Sequence, residues 1–342
     1  MTGKRAENDR RLHAIEHWLR YDIGLNYHSI ELASADASFR RYFRVVAGNS
    51  SSIVMDAPPQ QEDIRPFVSI AGLLARVGIN VPTIVDQSRD QGFLLMSDLG
   101  QDCYLDALNG NTAEALYRDA MGVLVRMQKR VNTQNIDLPV YDEPMLRREL
   151  KIFRDWFLEN TLRIKIEPAI ESLLDRVWTF LVQSAVSQPQ VFVHRDYHSR
   201  NLMVVPENNP GVLDFQDAVV GPITYDIVSL LRDCYICWPE QKITEWLSEY
   251  RYILKAEGLD IEAGGDCLTK WFDLMGLQRH LKVAGIFSRL GLRDGKTGYT
   301  KDIPCTLKYI KQVCSRYEEL EAFQRFLEDE VVPRFDKSAG FR

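Results

Sequence analysis

"VFVHRDYHSRN" (191–201) and "GVLDFQ" (211–216) decide the fold. Val191-Phe192-Val193 has the apolar, β-branched character of a buried strand, yet "HRDYHSRN" (194–201) follows it with two histidines, two arginines, an aspartate and an asparagine. Charged groups at the end of a buried strand are costly unless they are paired or used. After Asn201, "LMVV", the turn "PENNPG" and "VLDF" have the pattern of a hairpin. Antiparallel geometry would bring Asn201, at the start of its first strand, beside Asp214, at the end of its second. An amide oxygen and a carboxylate are hard donors that suit Mg²⁺, which takes one or two protein ligands plus waters and phosphates. Asp196 lies five residues before Asn201, on the preceding loop. From there it can accept a hydroxyl's proton as the bond to phosphorus forms. A polar turn whose Asp and Asn merely cap backbone is the plain alternative. Three elements in order, with a hairpin-sized gap before the third, weigh against it.

The surrounding chain is ordinary for a folded domain. Its 342 residues are 45% hydrophobic and 26% charged, with a net charge of −6. No global basic field attracts nucleic acid or anionic lipid. No apolar run approaches the roughly 20 residues of a membrane span, and the charged N-terminus lacks the apolar core of a secretion signal. The expected location is the cytoplasm. The six cysteines (103, 234, 237, 267, 305, 314) are scattered over amphipathic segments, so reduced thiols are expected. The pair Cys234 and Cys237 is expected to pack in the core rather than bind metal or act in redox chemistry.

Strand signals dominate the first 100 residues. "FRRYFRVV" (39–46) and "SSIVMD" (51–56) flank the turn "AGNS", and two more strands fall near 83–86 and 93–97. Between these pairs, "EDIRP" opens a helix with Pro66 in its first turn and Gly78 at its end. After "SDLG" (97–100), helical periodicity takes over at 103–130, 145–159, 167–186 and from 223 onward, around one β island at 191–214. This predicts an α+β chain: a small β-rich lobe over residues 1–100, then a helical lobe over 101–342. Two lobes joined by a short connector leave a cleft for ligands.

His194-Arg195-Asp196, Asn201 and Asp214-Phe215 follow the order of the protein-kinase catalytic elements. The stretch resembles more closely the aminoglycoside phosphotransferase and choline kinase superfamily, which has a histidine where His198 stands. Within it, "DASFRRYFRV" (36–45), "IVMDAPP" (53–59), "RPFVSIAGLL" (65–74) and "LQRHLKVAGIFSRL" (277–290) look like the bacterial anomeric N-acetylmuramate/N-acetylglucosamine kinases. The resemblance spans nearly the whole chain. It implies a bilobal protein-kinase-like fold, ATP and Mg²⁺ as cofactors, and a small amino sugar phosphorylated at C1 during cell-wall recycling. It implies Asp196 as base, Asn201 and Asp214 as metal ligands, and His194, His198 and Asp226 as loop supports. Adenine would meet the connector near Ser97, Asp98 and Leu99.

Two departures accompany the resemblance. The loop expected to cover the phosphates, "SADAS" (34–38), has no glycine, although Ser34 and Ser38 offer hydroxyls. Where a kinase carries its phosphate-binding lysine, the strand reads "IVMD", with Met55 at that position. Arg40 and Arg44 share one face of the neighbouring strand and Arg41 takes the other. One of these faces either aims arginine at the phosphates or is simply solvated. The helical lobe offers Arg232, Arg279, His280 and Lys282 to a lactyl carboxylate or sugar hydroxyls; packing or ion pairing accounts for each equally well. The rival functions are a kinase for an aminoglycoside, choline or homoserine, and a nucleotide-binding pseudokinase.

Overall fold

The computed structural model describes residues 9–35, 39–259, 261 and 267–337. The chain packs as two compact units, one formed by the residues up to Asp102 together with Met203–Asp217, the other by Cys103–Leu202 and the residues from Ala218.

The first unit opens with α1 (Arg10–His17), whose first turn is capped by Asp9 Oδ1 at 3.1 Å from Arg11 N. A wider turn extends the helix, Ile23 N donating to Trp18 O. Strands β1 (Ser29–Ala35), β2 (Arg41–Ala47) and β3 (Ser50–Asp56), helix α2 (Arg65–Arg76), and strands β4 (Ile84–Ser88) and β5 (Phe93–Ser97) follow. They form one antiparallel sheet in the order β1-β2-β3-β5-β4. Alternate residues Phe43, Val45, Val54, Phe93 and Leu95 meet Ile15, Trp18 and Leu19 in a closed core. Buried Asp56 is held by Arg11 Nε at 2.9 Å and Arg41 Nε at 3.0 Å. Met55, one residue before it, is 1% exposed.

The second unit begins with α3 (Tyr104–Ala107), α4 (Ala113–Arg130), α5 (Glu143–Ile152) and α6 (Pro168–Val186). Strands β6 (Gln190–Val193), β7 (Leu202–Met203), β8 (Gly211–Val212) and β9 (Val219–Pro222) come next, with β6 paired to β9 and β7 to β8. The expected hairpin therefore keeps only two residues per strand. Its return segment belongs to the first unit, whereas the sequence assigned it to the helical lobe. The reason is local bonding: Val212 N donates to Asn80 O at 2.7 Å, and Phe215 packs on Phe67 with ring centroids 4.7 Å apart.

Helices α7 (Tyr225–Leu231), α8 (Glu240–Ala256), α9 (Cys267–Leu292), α10 (Ile303–Cys314), α11 (Glu321–Phe326) and α12 (Val332–Lys337) complete the chain. The 26-residue α9 is buried on nearly every side. At Gly285 an added Cβ would stand 2.5 Å from Ile152 O, so only glycine lets α9 approach the end of α5 this closely. The cysteines correct one expectation. Cys237 and Cys305 form a disulfide, with Cα atoms 6.2 Å apart, while Cys103, Cys234, Cys267 and Cys314 are free thiols. The fold brings together two segments 68 residues apart, a proximity the local pattern does not encode.

Candidate active site

The loop after β6 is fixed mainly through its backbone. Buried Asp226, in the first turn of α7, accepts hydrogen bonds from His194 N at 2.7 Å and Arg195 N at 3.0 Å. Arg195 has φ 76°, a left-handed conformation costly for a side-chain-bearing residue, so those bonds hold the chain in a sharp turn. Asp196 N donates to His194 Nδ1 at 3.2 Å, and the Asp196 carbonyl accepts from Asn201 Nδ2 at 3.0 Å and His198 N at 3.0 Å. Asp233 accepts from Ser199 N at 2.9 Å and Ser199 Oγ at 2.5 Å. The Asp226 and His194 side chains thus bond the loop backbone, while His198 does so through its own N–H.

The Asp196 side chain is half-buried, and among the described residues none donates a hydrogen bond to its carboxylate. Burial pushes its carboxyl up, but the charges of Lys282, His198, Arg195 and His194 outweigh this and hold it below the ordinary aspartate value. It is therefore ionised at neutral pH, as a proton acceptor must be. Burial lifts the Asp226 carboxyl to about 7 against its two N–H donors.

Glu149 on α5 is the residue that sequence reasoning missed. It binds Arg195 Nη2 at 2.6 Å and Lys282 Nζ at 2.8 Å, and Tyr141 donates its hydroxyl proton to it. One buried carboxylate thus fixes both the arginine beside Asp196 and the lysine whose charge acts on it. Only the helical spacing in "LRREL" hinted that Glu149 turns inward, since it lies three residues after the core residue Leu146. Glu149→Gln leaves two buried cations without their anion and is expected to destabilise the protein by about 3 kcal/mol. Burial raises the Glu149 carboxyl, but Lys282 and Arg195 hold it below its ordinary value. Its stabilisation is therefore present above the ordinary carboxylate range and lost as pH falls through the lowered value. Urea unfolding should show the gap between wild type and variant holding steady from pH 7 to pH 5 and narrowing as the pH falls below 4.5; a gap that stays constant below that point contradicts the assignment.

In the first unit the three arginines separate. Arg41 is committed to Asp9 and Asp56. Arg44 binds Asp98 Oδ2 at 2.6 Å and Gly100 O at 2.7 Å, so it braces the connector. Arg40 pairs with Glu62 at 3.0 Å, and its Nη1 lies 3.7 Å from Asp214 Oδ1. Asp214 itself has φ 61°, and Gln216 Nε2 donates to its Oδ1 at 2.8 Å. Ser97 Oγ accepts from Thr83 N at 2.9 Å, and the Leu99 side chain packs on Gly211. Ser34 sits near the end of β1, exposed; Ser38 lies outside the described residues.

The four substrate candidates also separate. Arg232 is 1% exposed and bound to Asp273 at 2.7 Å and Glu240 at 3.0 Å, which engages it in the scaffold. His280 Nε2 meets Arg232 O at 2.9 Å, its ring stacks on Tyr309, and burial pushes it down to about 3. Lys282 is bound to Glu149 as described. Arg279 is 3% exposed, its guanidinium 3.8 Å from Cys234 Sγ.

Asn201 and Asp214 each carry an oxygen donor of the kind magnesium takes. Asn201 spends its amide nitrogen on the Asp196 carbonyl, which turns its oxygen to the opposite side of the amide. Asp214 presents a carboxylate. These donors fit a hard cation.

A family model described as the phosphotransferase enzyme family matches residues 29–258. An N-acetylmuramate/N-acetylglucosamine kinase of Pseudomonas aeruginosa is 48% identical over 84% of this chain and 84% of its own length. One of the same name from Neisseria meningitidis is 40% identical over 96% of this chain and 98% of its own. Among solved structures, an ADP-bound aminoglycoside phosphotransferase aligns with TM-score 0.58 at 15% identity, over 89% of this chain and 99% of that one. Choline kinase LicA of Streptococcus pneumoniae aligns with TM-score 0.60 at 11% identity, over 88% of this chain and 99% of that one. The fold is the protein-kinase-like fold of these enzymes. Among the described residues, no helix is long and apolar enough to cross a membrane.

Proposed function

This chain belongs to the phosphotransferase enzyme family, and on that premise we propose that it transfers the terminal phosphoryl group of ATP to the anomeric hydroxyl of N-acetylmuramate or N-acetylglucosamine. The observation that carries the sugar is identity of 48% and 40%, over most of both chains, to kinases named for those two substrates.

In this mechanism Asp196 orients the sugar's C1 hydroxyl and takes its proton as the oxygen attacks phosphorus. A hemiacetal hydroxyl is more acidic than an ordinary alcohol, so one ionised carboxylate suffices as base. Asp226 and Glu149 keep the Asp196 loop and its neighbouring cations in place, which supplies orientation before the reaction rather than during it. Asn201 and Asp214 would hold Mg²⁺. The chemistry such an ion supplies is neutralisation of phosphate charge. Ser97 to Leu99 would meet the adenine through their backbone. Phosphate transfer to kanamycin or choline, with none to N-acetylmuramate, would reverse the substrate assignment.

Arg40 takes the role that Met55 cannot fill, since a thioether carries no charge to offset a triphosphate. Its ion pair with Glu62 parallels the lysine–glutamate pair of protein kinases. Arg40→Ala is expected to lower kcat/KM for ATP about 10²-fold. Arg41→Ala should instead destabilise the fold, because Asp56 loses a partner, and leave KM for ATP near wild type. Equal ATP kinetics for wild type and Arg40→Ala would remove Arg40 from the site.

A further inference from the structure

We propose that Arg200 recognises a carboxylate on the acceptor sugar and so sets the preference between an acidic and a neutral amino sugar. This assignment rests on the amino-sugar reading above. Arg200 stands on the catalytic loop between Ser199 and Asn201 and is half-buried. Its guanidinium carbon lies 3.8 Å from the ring centroid of Tyr235 and 5.7 Å from that of Tyr299. Among the described residues no carboxylate forms an ion pair with it, and no group accepts a hydrogen bond from it. Asp302 feels the Arg200 charge without reaching ion-pair distance.

An arginine over an aromatic face has its charge partly satisfied by the ring, while its in-plane N–H groups still need acceptors. Two N–H groups in a fixed fork match the two oxygens of a carboxylate. The rings are themselves held: Tyr235 N donates to Asp233 Oδ1 at 3.0 Å, and the Tyr235 ring meets His198 with centroids 5.4 Å apart. Phe287 touches both tyrosines, at 6.2 Å and 5.6 Å between centroids. An aromatic wall carrying one oriented cation, on the loop that bears Asp196, suits a sugar ring with an acidic substituent. N-acetylmuramate is N-acetylglucosamine with a lactyl ether at C3, and the lactyl carboxylate is the one charge that separates them. A phosphate of the donor is the other source of the same oxyanion chemistry.

Steady-state rates of the full chain and its Arg200→Gln and Arg200→Lys variants, with each sugar varied at saturating MgATP and MgATP varied at saturating sugar, decide the matter. Arg200→Gln should raise KM for N-acetylmuramate about 100-fold. Its kcat and its KM for ATP should stay near wild type, and kcat/KM for N-acetylglucosamine should change less than about threefold. Arg200→Lys should recover little of the loss, since an ammonium cannot form the paired contact. An equal loss on both sugars, or a raised KM for ATP, places Arg200 with the donor phosphates or the loop scaffold and overturns the proposal; so does unchanged selectivity. Wild-type protein that phosphorylates neither sugar overturns the amino-sugar reading itself, a result seen without any variant.

Discussion

Asp196→Asn is expected to lower kcat about 10³-fold while leaving ATP affinity within about twofold of wild type. The substitution keeps every bond that shapes the loop, because Asp196 is held through its backbone N and O, and no side chain donates to its carboxylate among the described residues. It removes only the negative charge and proton-accepting capacity. Surrounding cations keep Asp196 ionised, so asparagine differs from the working form by one charge at neutral pH. Isothermal titration with a non-hydrolysable ATP analogue, alongside initial rates, separates binding from turnover. A nucleotide-binding pseudokinase has no use for a base here. An Asp196→Asn variant with wild-type turnover would place the base elsewhere, whereas nucleotide binding without turnover in the wild-type chain would favour the pseudokinase.

Asp214→Ala is expected to be about as damaging, with kcat down about 10³-fold. Asp214 is not a scaffold carboxylate of the Asp56 kind, clasped by two close arginines. Its carboxylate accepts from the Gln216 amide at 2.8 Å and lies 3.7 Å from Arg40. The left-handed backbone at Asp214 is a local strain of the sort that persists at working sites. The distinguishing readout is the magnesium requirement: the Mg²⁺ concentration for half-maximal nucleotide binding should rise at least about tenfold. Unchanged Mg²⁺ dependence would show that Asp214 does not hold the ion.

What the sequence disclosed follows from how local each signal is. The candidate catalytic pattern stands out in the sequence because Asp196, Asn201 and Asp214 lie within twenty residues and their order is itself the signal. The strand pair around "AGNS" and the helix opened by Pro66 were equally local. Helix α1 and strand β1 were not, since "RRLHAIEH" carries few apolar residues and "SIELASA" is rich in alanine and serine, which favour strands poorly; both are fixed by contacts with the sheet. Alternation along the expected strand 39–46 put Arg40 and Arg44 on one face but could not tell them apart. Their partners, Glu62 and Asp98, lie 22 and 54 residues away. Glu149 was hidden for the same reason, its cations coming from the loop after β6 and from α9.

The phosphorylated product of N-acetylmuramate tests the central claim most directly. Phosphorus NMR of the reaction with MgATP should give one new phosphomonoester signal coupled to the anomeric proton, with no such product from Asp196→Asn. A phosphate on C6, or no sugar phosphate with the wild-type chain, would contradict the account.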